Sequence, residues 1–289
     1  MPNGIIIVNK PADWTSQDVA AKLRGVFHEK RVGHGGTLDP MATGVLPVFV
    51  GRATRAVEFF EHADKEYIAT LRLGTVTDTQ DTTGNILETR PVNVTKAEVE
   101  AALSAFTGEI DQLPPMYSAI KVNGQKLYEL ARRGKEVERK PRRITIHELE
   151  LLSGEGTDWS LRIHCSKGTY VRTLCADIGE HLGCGGCMAS LMRTKAGAFE
   201  LSQAHTMEKL IAAENAEALL LPVDTLFAAY PAVTVNASAE KKLRNGAPVK
   251  APTQPDGCCR VYSEQGEFLL LGRVTGGVLT TVKSFFEVN

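Results

Sequence analysis

No apolar run in this chain approaches the roughly 18 residues needed to cross a membrane as a helix. The longest early run, Ile5-Ile6-Ile7-Val8, ends at Asn9-Lys10, and no basic region leads into an apolar core at the N-terminus. Both facts argue against membrane insertion and secretion. A global positive charge is missing as well: 33 Lys and Arg stand against 34 Asp and Glu, for a net charge of −1. Any surface for nucleic acid must therefore come from local segregation of charge. Internal repeats and low-complexity stretches are absent. Six cysteines without a leader peptide point to reduced thiols in a cytoplasmic protein. Only one Cys-x-x-Cys occurs, Cys184-Gly-Gly-Cys187, and Cys258-Cys259 lacks the spacing of a second pair, so no metal site is expected.

What remains is ordinary globular material. The 289 residues are 43% hydrophobic and 23% charged, enough for one large domain or two unequal ones. Gly4 to Val8 reads as a buried strand. Thr15 and Ser16 offer N-cap oxygens to a helix with Val19, Leu23 and Val26/Phe27 on one face. Residues 67–73 alternate as a strand ending at Gly74. Thr95 and Glu98 form a capping box for a helix carrying Val99, Leu103 and Phe106, which Gly108 is expected to close. Leu161, Ile163 and Cys165 mark another strand, and Val171 to Leu182 an amphipathic helix. Strands and helices intermix without regular βαβ alternation, so the expected class is α+β, with a large mainly antiparallel mixed sheet flanked by helices. Near Leu221–Pro231 the texture shifts to short strand-like runs (Val233–Val235, Arg260–Tyr262, Phe268–Val274, Leu279–Phe286). The expected division is 1–227 and a small β-rich unit at 228–289. At about sixty residues, that unit is near the lower limit for folding alone and should lean on the larger one.

Four stretches carry chemistry. Arg31 to Pro47 places four glycines and two prolines around His34 and Asp39, which holds a loop in one unusual shape. The plain alternative is a turn in which Asp39 caps a helix from Pro40 onward. Titratable groups in so constrained a loop more often act. In Ser166 to Arg172, a still-extended backbone would point Tyr170 and Arg172 to one side, where a guanidinium could hold a carboxylate ionised. Tyr67 opens a strand after Asp64-Lys-Glu. From Lys121 to Arg143, nine Lys/Arg face three Glu, a local excess of six positive charges suited to phosphates.

These blocks together resemble the bacterial tRNA pseudouridine-55 synthases, the TruB family, from Val8-Asn-Lys-Pro to about Asp224 and more weakly beyond. The anchors are His34 with Gly36-Thr-Leu-Asp-Pro-Met-Ala-Thr-Gly44, Lys65-Glu-Tyr67, Asp78-Thr-Gln-Asp-Thr-Thr-Gly84, Pro114-Pro-Met-Tyr-Ser-Ala119, Lys167-Gly-Thr-Tyr-Val-Arg172 and Leu191-Met-Arg-Thr194. The resemblance implies the pseudouridine synthase fold, with Asp39 as nucleophile and Arg172 as its ion-pair partner. It implies that Tyr67 stacks on the target base and helps move its C5 proton, that Tyr170 and Leu191 line the base pocket, and that His34 fills the stack the uridine leaves. Lys10-Pro11 matches a motif beside the loop, and Lys10 is counted among the substrate-binding residues. The basic segment, about 121–143 with Arg132, Arg133, Arg142 and Arg143, matches a mobile thumb that closes on the tRNA T-loop and T-stem. The tail, with Arg244-Asn-Gly-Ala-Pro-Val249, resembles the pseudouridine synthase and archaeosine transglycosylase (PUA) domain, a small RNA-binding barrel. Gly35 stands where the family commonly has threonine, a change expected to loosen the loop and spare the catalytic set.

Uridine isomerisation needs no redox change, so no cofactor is expected. The partner is tRNA, with no membrane, no obligatory protein partner and a monomeric state. Asp39 could add to the base or to the sugar carbon. The rival readings are a non-catalytic RNA-binding or tRNA-folding protein, a pseudouridine synthase for another RNA, and a base-releasing glycosidase. The last would want two carboxylates at the bond, whereas Asp78 and Asp81 read as turn residues.

Overall fold

A computed structural model describes residues 1–122, 124–251 and 255–286. Its largest element is a mixed sheet in the order His205–Thr206, Gly4–Lys10, Thr43–Val50, Gly186–Ala196, Lys65–Leu73, Asp158–Cys165, Arg142–Glu155, Gly108–Gln112. Two contacts are parallel, Gly4–Lys10 with His205–Thr206 and Gly186–Ala196 with Thr43–Val50, and the rest of this path is antiparallel. The α+β class with a mainly antiparallel sheet is thus realised.

The first strand shows why it is apolar throughout. Its side chains alternate between faces: Ile6 and Val8 join the core under the helices, and Ile5 and Ile7 join a second core behind the sheet. On the first side, helices Ser16–Val26 and Val171–His181 bring Val19, Leu23, Leu174 and Ile178 onto the strands. Of the two N-cap candidates Thr15 is the one used, in a capping box with Asp18, and the Thr95/Glu98 box starts its helix as expected. Gly108 does not close the second of these: the helix spans Lys96–Ala105, Phe106 caps it, and Gly108 (φ +97°) opens the edge strand.

The C-terminal sheet runs Ala232–Thr234, Gly257–Tyr262, Phe268–Thr275, Val278–Ser284, Val249–Lys250. A helix at Ala237–Arg244, capped by Asn236, covers its core of Val233, Val261, Leu270 and Leu279. That helix was not foreseen. It is short and mostly polar, with Leu243 as its one buried residue. The sheet does lean on the larger one. Leu271 and Phe285 belong to the same buried cluster as Ile5, Ile7 and Phe49, and the Phe227 ring lies 5.4 Å from Phe59 and 5.7 Å from Phe285.

Candidate active site

Asp39 sits in a turn, its carbonyl accepting from the Ala42 N–H at 3.0 Å, between the strand Val32–His34 and the strand Thr43–Val50. No helix follows Pro40, so the capping alternative does not hold. Ser16, buried at the start of its helix, fixes the preceding residue by a reciprocal pair: Leu38 N–H donates to its Oγ at 2.9 Å, and Oγ donates to the Leu38 carbonyl at 3.2 Å.

The Asp39 carboxylate meets Arg172 Nε at 2.8 Å, with side-chain exposures of 37% and 7%. The carboxylate is reachable and the guanidinium is not. Arg172 is held on its other edges too, donating to the Thr79 carbonyl at 3.0 Å and the Tyr117 carbonyl at 2.8 Å. Behind it lies buried Asp81, its Oδ2 3.8 Å from Arg172 Nε. Asp81 in turn accepts from Thr79 Oγ1, Thr83 N–H and Thr83 Oγ1. Asp81 is therefore more than a turn residue. Nor is Arg172 on an extended backbone: Tyr170 is extended, and Arg172 lies in the first turn of the helix Val171–His181. Gln112 clamps the Tyr170 backbone from both sides, at 2.8 and 3.1 Å, which sets where that helix begins.

Beneath the loop, a row of paired residues crosses four strands: Lys10, Gly44, Arg193, Tyr67. Lys10 is fully buried, and its ammonium donates to the carbonyls of Pro11, Trp14 and Pro40, at 2.8, 2.5 and 3.0 Å. It is a strut under the loop rather than an open surface for substrate. Burial lowers its pKa to about 8, against the raising effect of Asp13 and Asp39. Arg193, 1% exposed, donates to the Val45 carbonyl at 2.7 Å and the Gly36 carbonyl at 3.2 Å. Burial raises the Tyr67 phenol and the Tyr170 phenol, and lowers His34, whose Nδ1 is buried with no partner among the described residues. Tyr67 and Leu191 share one buried face. Gly35 does not loosen the loop: its N–H donates to the Pro47 carbonyl at 2.8 Å, and a Cβ there would lie 2.5 Å from the Phe60 ring. The Phe60 ring fills the space a threonine would need.

Three family models tile the chain: the TruB family pseudouridylate synthase N-terminal domain at residues 24–171, the tRNA pseudouridylate synthase B C-terminal domain at 172–228, and the pseudouridine synthase II TruB C-terminal domain at 231–281. Proteins named tRNA pseudouridine synthase B from Clostridium kluyveri and from Azoarcus sp. are each 44% identical, the alignments covering 93% and 96% of this chain and 95% and 93% of theirs. The chain belongs to the TruB family. Its fold is also that of a chain from the crystal structure of a Cbf5–Nop10–Gar1 complex, with a TM-score of 0.74 and 26% identity over 98% of this chain and 85% of that one.

Against this TruB framework, the basic segment is less uniform than its charge suggests. It forms a small hairpin, Lys121–Val122 with Gln125–Lys126, and a helix Leu127–Ala131 anchored by buried Leu127 and Leu130. Arg132 and Arg133 are exposed, Arg132 lying 5.4 Å from the Tyr128 ring centre. Arg142 and Arg143 open the strand Arg142–Glu155, and Arg143 is committed to Asp111 at 2.9 Å and Glu109 at 3.3 Å. Cys184 and Cys187 are buried free thiols, raised by that burial, at the entrance to the strand that carries Leu191. Among the described residues no helix is long and apolar enough to cross a membrane. Sequence reasoning missed Arg193, Asp81 and Gln112. The available signal lay within the quoted blocks, where Arg193 and Asp81 both stand, but nothing local shows what they touch.

Proposed function

We propose that this chain isomerises the uridine at position 55 of the tRNA T-loop to pseudouridine, with Asp39 as the nucleophile. The observation that supports this best is the reachable Asp39 carboxylate held at 2.8 Å by a buried arginine whose remaining edges are tied to backbone carbonyls. A carboxylate so oriented can attack the base or the sugar carbon, splitting one hard step into two. The N1–C1′ bond breaks, the C5–C1′ bond forms, C5 loses a proton and N1 gains one. The atoms balance without a cofactor.

The uridine must leave the T-loop stack, at a cost of a few kcal/mol. Stacking on Tyr67, worth roughly 1–3 kcal/mol per base, offsets that, with Leu191 and Tyr170 as apolar walls. His34 takes the vacated place, its uncharged ring suited to stacking. Arg132, Arg133 and Arg142 supply phosphate contacts in the thumb, and 228–289, read as the PUA-like unit after a catalytic domain at 1–227, adds RNA surface. The chain is taken to act as a monomer in the cytoplasm, without an obligatory protein partner.

The test is incubation with unmodified tRNA and position-resolved mapping of pseudouridine. Wild type should create one site in the T-loop. Asp39→Asn should create none while tRNA binding persists. A normal rate in that variant would remove Asp39 from the role, and binding without product in wild type would favour an RNA-folding protein.

A further inference from the structure

Arg193 is the largest of the fully buried side chains, yet no carboxylate ion-pairs with it among the described residues. Burying a guanidinium without a counter-charge costs several kcal/mol, so its position calls for a physical reason. Two of its donors go to carbonyls at the two ends of the Asp39 loop, Gly36 and Val45. The loop is shaped around it. A Cβ at Gly44 would lie 2.2 Å from the Arg193 carbonyl oxygen, and one at Gly36 (φ +77°) would lie 3.4 Å from Nη1. On its other side Arg193 pairs directly with Tyr67 across the antiparallel ladder. Such partners project to the same face with Cβ atoms roughly 5 Å apart, which sets the buried Arg193 side chain next to that of Tyr67.

We infer that Arg193 is a positioning residue that ties the two ends of the nucleophile loop to the Tyr67 hydroxyl, so that Asp39 and Tyr67 address the same base in one fixed relation. The inference rests on the reading of Asp39 and Tyr67 as the groups that meet the uridine. Lys10 holds the middle of the loop through the Pro40 carbonyl. Arg193 holds its two ends and is the one of the pair that also reaches the aromatic platform. A second consequence is electrostatic: an unpaired cation beside a buried phenol favours negative charge on that oxygen, against the burial that opposes it.

Two measurements test this. In single-turnover assays on unmodified tRNA, Arg193→Lys keeps the charge but loses the fork, and should slow pseudouridine formation roughly 10- to 100-fold with tRNA affinity nearly unchanged. In a Tyr67→Phe background the same substitution should cost only a few-fold, because the contact is already gone. Equal losses in both backgrounds, or a loss carried by affinity, would overturn the inference. The second measurement needs no turnover. With 3-fluorotyrosine placed at residue 67, the ¹⁹F titration midpoint should move upward by about one unit in Arg193→Gln, and Arg193→Lys should restore part of it. An unmoved midpoint in both variants would overturn the contact. If unsubstituted protein forms no pseudouridine at all, the functional reading fails on its own account, and the fluorine titration still decides whether Arg193 acts on Tyr67.

Discussion

Arg172 and Arg193 carry the same guanidinium as Arg132 and Arg133, and all four come from stretches that carry the family resemblance. The first two are 6% and 1% exposed, with their donors committed to named oxygens. The second two stand in solvent on a short helix and turn. Buried cations of this kind fix geometry, because a guanidinium fork has few ways to satisfy its donors away from water. Exposed cations contribute a diffuse field, where each charge matters little and salt weakens all of them. Within one family fold, the same residue type is buried with its donors fixed in one region and left in solvent as surface charge in another.

This contrast is best attacked at its strongest point. Arg172→Lys keeps the charge but loses the fork that serves the Thr79 and Tyr117 carbonyls. It should cost about 1–3 kcal/mol in denaturant unfolding, the scale for leaving buried polar groups unsatisfied, and should slow turnover by at least roughly 100-fold through misplacement of Asp39. A loss below about 1 kcal/mol with near-normal turnover would put Arg172 in the same class as the exposed arginines.

Lys10 sharpens the comparison through pH. Desolvation brings its pKa from 10.5 to about 8, so the folded chain releases that proton before the unfolded chain does. Between those two values the unfolded state holds more protons, and the contribution of Lys10 to stability rises with pH. Turnover should fall over the same window, because the neutral amine has two donors for three carbonyls. Unfolding and single-turnover rates measured across this range should diverge, and Lys10→Met should flatten both. Parallel trends in wild type would contradict the assignment.

The smallest effect is expected in the exposed segment. Arg132→Gln with Arg133→Gln should weaken tRNA binding by roughly 3- to 10-fold and make the log K against log salt slope shallower by about 1.4–1.8, with the saturated rate unchanged. A drop in the saturated rate would show that these two residues also fix geometry.

Much of the Asp39 loop was legible because its signal is local. Glycine and proline around Asp39 announce a held backbone, Thr15 with Asp18 and Thr95 with Glu98 announce helix starts, and Ile5 to Val8 announces a strand covered on both faces. The Cys184–Cys187 spacing and the charge excess at 121–143 were equally visible, yet neither says what a side chain touches. Arg143 counted as basic surface until the fold placed Asp111 and Glu109 beside it. Asp81 looked like a turn residue because its relation to Arg172 spans the chain.

The amino-acid order by itself determined where chain direction, capping and burial periodicity begin and end, since each of these depends on neighbours within a few residues. Only the tertiary structure decided that Arg193 answers to Gly36 and Val45, 157 and 148 residues away, and that Gly44, Arg193 and Tyr67 stand in one row. A buried polar group takes whichever partner the fold brings near, and that choice belongs to sheet register.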